Sequence, residues 1–286
     1  MSHISIFLEL TRLKKPIGFM LLFWPCAWGL TTAYDFQNGV NQYIFYISLF
    51  FAGSVLMRSA GCIVNDIADK DFDKNVERTK NRPLASGKLS IKTAIIYSII
   101  LCFFAFLVLI NFNFLTILLA IASMPLAFIY PLMKRFTYWP QLFLGITFNY
   151  GLLLGWTCIN SNISLTPIIF YLGAIFWTLG YDTIYGFQDI EDDEIIGVKS
   201  TSIKFKKNPK VFLSISYILF IFCYFFTGIL LNFNNFFFMG LIIISIHLFL
   251  QIYKFETSNK IGCLKIFKSN NIFGLLILLN IFIGKV

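Results

Sequence analysis

Long apolar runs separated by short polar gaps dominate the chain, and a bilayer core of about 30 Å asks for about 20 apolar residues per crossing helix. Nine runs meet that need, roughly 17–34, 43–63, 93–111, 114–132, 139–158, 166–187, 211–231, 235–253 and 270–285. The pattern predicts an all-α, polytopic membrane protein forming a single domain over residues 1–286. The gaps differ in kind. Those at 112–113, 159–165 and 232–234 are short and uncharged, whereas those after the second and sixth runs are far longer. Long loops in a compact protein are usually functional or disordered.

Charge sets the orientation. Of the 23 Lys and Arg, all but Arg58, inside the second run, and Lys285, at the far end, fall before the first run or after an even-numbered one. Short basic loops resist translocation, so that side is predicted to be cytoplasmic, with the N-terminus there and the C-terminus opposite. The composition agrees with a bilayer setting: 58% of residues are hydrophobic, 13% are charged, and the mean hydropathy is +0.76. The net charge of +9 does not point to nucleic acid, because the cations are spread over short loops instead of forming one soluble basic face. The six cysteines are isolated, with no metal or redox spacing. Residues 1–15 include Glu9 and have no cleavable apolar core, so they read as neither a secretory signal nor a transit peptide. A bacterial inner membrane is the expected location.

Both long gaps carry the acids. Asp66, Asp69, Asp71, Asp73 and Glu77 follow the second run; Asp182, Asp189, Glu191, Asp192, Asp193 and Glu194 end or follow the sixth. Asn65, Asp69 and Asp73 recur every four residues, so a continuing helix puts them on one face with Asp66 beside it. Asp182, Asp189 and Asp193, spaced by seven and four, form a second predicted stripe that includes Tyr185. Carboxylates stacked on one face repel unless a cation sits between them. Oxygen-only ligands with no nearby Cys or His favour Mg²⁺ over zinc or copper. Glu77, Glu191 and Glu194 fit better as solvated loop charge. The amide–Asp–Ile–x–Asp pattern at 65–69 returns at 188–192, hinting at a duplicated four-helix unit with a ninth helix.

Asp182 lies inside an apolar run, a costly place unless it faces a cavity. Arg58, seven residues before Asn65, sits on the same face about 10 Å deeper. Its guanidinium needs an anion, either Asp182 or a substrate diphosphate or carboxylate. Arg78, Lys80 and Arg82 add donors beside the first acidic cluster, and Lys199 does so beside the second.

These residues carry a resemblance. Asn65-Asp66-x-x-Asp69-x-x-x-Asp73 followed by Arg78-Thr79-x-x-Arg82-Pro83-Leu84 resembles the first signature of the UbiA-type membrane prenyltransferases. Tyr181-Asp182-Thr183-x-Tyr185-x-x-x-Asp189-x-x-Asp192-Asp193, with Gly197-x-Lys199-Ser200-Thr201, resembles the second. Lys15-Pro16-Ile17-Gly18, Trp24-Pro25 and Tyr130-Pro131-x-Met133-Lys134-Arg135-x-Thr137-x-x-Pro140-Gln141 are similar to the 4-hydroxybenzoate polyprenyltransferases of ubiquinone synthesis. The match covers residues 12 to about 205; Lys14 departs from it, standing where many members carry an acid.

The resemblance implies nine helices around a central cavity open sideways to lipid, with both acidic motifs under a cytoplasmic cap. It implies Mg²⁺ held by Asn65, Asp69, Asp189 and Asp193, with Asp66, Asp73, Asp182, Tyr185 and Asp192 as catalytic candidates. Arg58, Arg78, Arg82, Lys134, Arg135 and Lys199 are the substrate-binding candidates, Arg135 first for the acceptor's carboxylate and Arg58 second. The implied substrates are a polyprenyl diphosphate and 4-hydroxybenzoate, prenylated at the ring carbon ortho to its hydroxyl. Another aromatic acceptor is the nearest alternative. A cation-coupled transporter is the alternative in a different class, but its acids tend to lie near the bilayer midplane. Here all the clustered acids except Asp182 lie at or beyond the cytoplasmic boundary.

Overall fold

The computed structural model describes residues 3–285. It contains nine long helices: α1 Ile17–Ala33, α2 Asn41–Ala68, α3 Ile91–Leu109, α4 Phe114–Ile129, α5 Pro140–Asn160, α6 Leu165–Gly186, α7 Pro209–Leu230, α8 Asn235–Lys254 and α9 Lys260–Lys285. Among the described residues the other regular elements are short helices and 3₁₀ turns, and no strand is present. The all-α, multi-pass membrane reading therefore stands. The expectation of nine crossing helices needs refining, because eight helical segments are long and apolar enough to span, and α1 has only 17 residues.

The reason lies in where α1 sits. Leu21, Phe23, Trp24, Ala27, Trp28 and Leu30 are all buried, so α1 is wrapped by other helices and its apolar character serves protein contacts. Trp28 stacks on Phe170, meets Trp177 and donates its indole N–H to the Gly274 carbonyl, joining α1 to α6 and α9. By contrast α3, α4 and α8 are buried over a small part of their length and turn rows of Ile, Leu and Phe outward. Such faces suit lipid.

Lipid gives helices no hydrophobic reason to associate, so small residues and polar bonds hold the bundle together. A Cβ added at Gly155 would lie 2.3 Å from the Cys26 carbonyl oxygen and 2.5 Å from the Leu30 nitrogen, both backbone atoms of α1. Gly155→Ala should therefore force α1 and α5 apart and destabilise the fold by about 3 kcal/mol, the upper end for overpacking. A drop in the thermal aggregation midpoint in detergent would register it, and an unchanged midpoint would refute it. Buried hydrogen bonds add cross-links: Asn149 to Thr178 (α5–α6, 2.7 Å), Trp177 to Asn270 (α6–α9, 2.8 Å) and Tyr217 to Gln251 (α7–α8, 2.7 Å).

Three boundaries differ from the sequence expectation. α2 runs on to Ala68, so its 28 residues extend about 42 Å and lift Asn65 and Asp66 toward the membrane surface. α6 stops at Gly186, and a new helix, Ile190–Ile196, begins after Asp189. α9 begins at Lys260, ten residues early, so Lys260, Lys265 and Lys268 belong to that helix and not to a loop. Amphipathic first turns mask helix starts when only apolar residues are counted.

Candidate active site

The first acidic stripe survives as drawn. The Asp69 amide donates to Asn65 O and the Asp73 amide to Asp69 O, both at 2.8 Å, so the i, i+4 geometry passes from α2 into the short helix Lys70–Asp73. The second does not survive as one uninterrupted stripe. Residues 187–189 form tighter turns, with the Asp189 amide donating to Gly186 O, and this change of pitch re-aims Asp189 and Asp193 relative to Asp182.

The two motifs nevertheless meet. Arg78 belongs to the basic stretch after the first cluster, yet its Nε donates to Asp189 at 2.8 Å and its guanidinium lies over the Tyr185 ring. The Tyr185 ring in turn packs against Phe267 of α9, 4.3 Å between centroids. Lys134, in the short helix Met133–Phe136, donates Nζ to Asp69 Oδ2 at 2.6 Å. Arg82 Nη1 bridges Asp66 Oδ1 (3.1 Å) and Asp73 Oδ2 (2.7 Å). Arg12 also holds Asp66. Charge composition alone gave Arg12 no role beyond topology. Its position just before the Lys15-Pro16 motif was the one available signal.

Below this cap lies a cavity of about 130 Å³ lined by Asn65, Asp69, Tyr130, Pro131, Lys134, Pro140, Gln141, Leu144 and Asp182. Its lining mixes two acids and a lysine with the apolar Pro131, Pro140 and Leu144. Asp69 is buried, and its Oδ1 has no hydrogen-bond partner. Burial raises the Asp69 carboxyl above the ordinary range, opposed by Lys134. Burial and then the neighbouring Asp189 push Asp193 up to about 6. Asp69 has one cation, Lys134 on Oδ2, while Asp193 has no ion pair among the described residues. Asp192 is half-buried at the same helix start.

Arg58 and Asp182 do not form an ion pair among the described residues. The Arg58 guanidinium lies 5.2 Å from the Phe148 ring centroid, and its Nε is buried without a partner. A Cβ on Gly18 would come within 2.8 Å of that Nε, which gives the Lys15–Gly18 motif a physical reason: the glycine leaves room for the arginine. Arg135 is outside the cavity lining. It is exposed, donates Nη2 to the Ala68 carbonyl at 2.6 Å at the end of α2, and covers Phe72. Lys199 also points elsewhere, donating Nζ to Phe136 O at 3.2 Å and approaching the Tyr138 ring. Its loop is fixed by Thr201, whose amide donates to Gln141 Oε1 at 3.0 Å and whose hydroxyl pairs with Thr183. Gln141, quoted in the sequence only as part of a motif, thereby joins the cavity wall to the second signature.

Among the described residues no three His, Cys, Asp or Glu side chains form a ready-made metal cage. Mg²⁺ commonly takes one or two carboxylates and completes its shell with substrate oxygens and water. The free oxygen of Asp69 and the underpartnered Asp193 fit such an ion.

Residues 22–277 match the UbiA prenyltransferase family. A mitochondrial 4-hydroxybenzoate polyprenyltransferase from Drosophila pseudoobscura pseudoobscura is 41% identical over 287 residues, covering 96% of this chain and 69% of that protein. A 4-hydroxybenzoate octaprenyltransferase from Francisella tularensis subsp. novicida is 38% identical over 276 residues, covering 96% of each. A solved UbiA homologue from Archaeoglobus fulgidus, bound to GPP and Mg²⁺, superposes with a TM-score of 0.70 at 17% identity, covering 97% of this chain and 98% of that one.

Proposed function

The chain belongs to the UbiA prenyltransferase family, and from that premise we propose that it transfers a polyprenyl group from polyprenyl diphosphate to the ring carbon ortho to the hydroxyl of 4-hydroxybenzoate, a step in ubiquinone biosynthesis. The observation that carries this reading is the Arg78–Asp189 contact, which ties the basic end of one acidic motif to the other; both motifs also line one cavity, through Asn65, Asp69 and Asp182. The proposed setting is an inner membrane, with the capped end facing the cytoplasm.

When bound, Mg²⁺ supplies Lewis-acid neutralisation of the departing diphosphate. Asn65, Asp69, Asp189 and Asp193 are the residues proposed to hold it. Arg78, Arg82 and Lys134 stand beside those carboxylates, so they can turn their N–H donors to diphosphate oxygens as negative charge builds there. Asp66 and Asp73 hold Arg82 in position from behind. The allylic carbon gains positive charge as its C–O bond breaks, and the π electrons of the phenol ring form the new C–C bond. The ortho proton then leaves to restore aromaticity, with Asp182 in the cavity wall as the proposed acceptor. Tyr185 orients Arg78 through its ring and hydroxyl. Asp192 and Lys199 have the weaker claim, as neither forms an ion pair with the site's charged groups among the described residues and Lys199 Nζ is taken by the Phe136 carbonyl.

Arg58 is the better placed cation for the acceptor's carboxylate, because its unpartnered Nε is buried whereas Arg135 is occupied at the end of α2. Arg58→Ala should raise KM for 4-hydroxybenzoate by at least about tenfold while moving KM for the prenyl diphosphate far less. Arg135→Ala should leave that ratio unchanged. The reverse pattern would return the acceptor role to Arg135. The activity itself is tested by incubating purified protein with labelled 4-hydroxybenzoate, a long polyprenyl diphosphate and Mg²⁺. Prenylated product that disappears with chelator is the expected result, and no product with any chain length would sink the proposal.

A further inference from the structure

One face of α9 has a composition that the reaction does not use. Ile261, Lys265, Lys268, Ile272, Leu275, Leu279 and Ile283 recur at intervals of three and four, so they lie along one side of the helix. All are exposed: Ile261 70%, Ile272 59%, Leu275 44%, Leu279 47% and Ile283 49%, with both lysines also outward. Neither lysine has a side-chain hydrogen bond or ion pair among the described residues. Lys260, five residues before Lys265, is different, as it is held by Glu191 at 2.8 Å. The face therefore presents two free ammonium groups one turn apart, followed by an unbroken apolar track.

The dimensions match one leaflet. From Lys268 to Leu279 the helix rises about 16 Å, against about 15 Å for half of a 30 Å hydrocarbon core. With Lys268 at the headgroup level, Ile272, Leu275 and Leu279 cover an acyl chain's full depth. Lys254 ends α8 at the same end of the bundle, and neighbouring Tyr253 is 71% exposed, as expected of an interfacial aromatic. A zwitterionic lipid would satisfy the apolar track but would leave two cations without a net counter-charge. An anionic headgroup satisfies both, at about 1 kcal/mol per lysine near the surface.

We propose that this face of α9 is a binding site for an anionic phospholipid, its phosphate on Lys265 and Lys268 and an acyl chain along Ile272, Leu275 and Leu279. The prenyl diphosphate is the other lipid-borne phosphate in this membrane. It carries its charge with Mg²⁺ and is drawn to carboxylates, and among the described residues the one acid ion-paired to α9, Glu191, is already held by Lys260.

The test is native mass spectrometry of the full chain released from nanodiscs containing equal phosphatidylglycerol and phosphatidylcholine. The wild type should retain phosphatidylglycerol selectively. Lys265→Gln with Lys268→Gln should cut that retention by at least about fivefold without changing phosphatidylcholine. Lys88→Gln with Lys92→Gln removes the same charge from two exposed lysines elsewhere and should leave retention unchanged. Equal loss from both pairs would reduce the effect to net charge and overturn the site, as would no loss from the α9 pair. Displacement of phosphatidylglycerol by equimolar geranyl diphosphate would assign the face to substrate and also overturn the proposal. Prenyl transfer with a short, soluble prenyl diphosphate should be unaffected by the α9 pair, so this site can fail without bearing on the proposed reaction.

Discussion

Asp69→Asn and Asp189→Asn are each expected to lower prenyl-transfer turnover by about 10²-fold, because each keeps the size of the side chain and removes one charge from the proposed metal site. Asp69 already keeps one carboxylate oxygen free of protein partners, and Asp189 reaches the same region from the other motif, held by Arg78. If both act through one ion, the double variant should lose far less than the product of the single losses. Glu191→Gln is the control, since its carboxylate sits on Lys260 at the surface; it should stay within about twofold. The measurement is turnover as a function of Mg²⁺ concentration, with gel filtration to verify insertion and folding. Near-normal activity of both single variants at limiting Mg²⁺ would remove the metal site from the mechanism.

Arg82→Ala should damage stability and catalysis together. One guanidinium nitrogen bridges Asp66 and Asp73, whose side chains are 2% and 9% exposed, so its removal leaves two buried carboxylates short of counter-charge. Arg12 still covers Asp66, whereas among the described residues no ion pair other than that with Arg82 covers Asp73. Breaking a buried pair from one side costs about 3 kcal/mol or more. The thermal midpoint in detergent should therefore fall, and turnover should drop because the Asp69 turn lies between the two freed acids. Arg82→Lys restores the charge but not the two-way reach, so it should recover stability in part and activity less. An unchanged midpoint for Arg82→Ala would mean that the two carboxylates are solvated and that the arginine acts on substrate alone.

Much of the candidate site was legible in the sequence. Four-residue spacing placed Asn65, Asp69 and Asp73 on one face, and the helix continues through them as the spacing requires. The basic residues beside the first acidic cluster were also visible, and Arg78 and Arg82 do contact carboxylates, as does Lys134, which only the family resemblance singled out. Arg135 and Lys199 show the limit. Their motifs drew attention to them, but each side chain is taken by a backbone carbonyl that sequence cannot locate, Ala68 and Phe136. Arg12 shows the converse: it lies 54 positions from its partner Asp66, and a cation in a topology-setting loop carries no mark of its target.

Sequence by itself determined the all-helical bilayer class, the approximate spans and the clustering of acids at one end. It could do so because lipid forces every backbone group into helical bonds and leaves hydropathy as a one-dimensional signal. The tertiary structure decided that α1 is an interior helix, that Gly155 and Gly18 are sites of close approach, and that Arg78 crosses from the first motif to Asp189. It also decided that the second acidic stripe breaks at residues 187–189. These are matters of which faces meet and at what pitch. They depend on packing between segments 111 residues apart, as for Arg78 and Asp189, or 246 apart, as for Trp28 and Gly274, distances over which local periodicity holds no information.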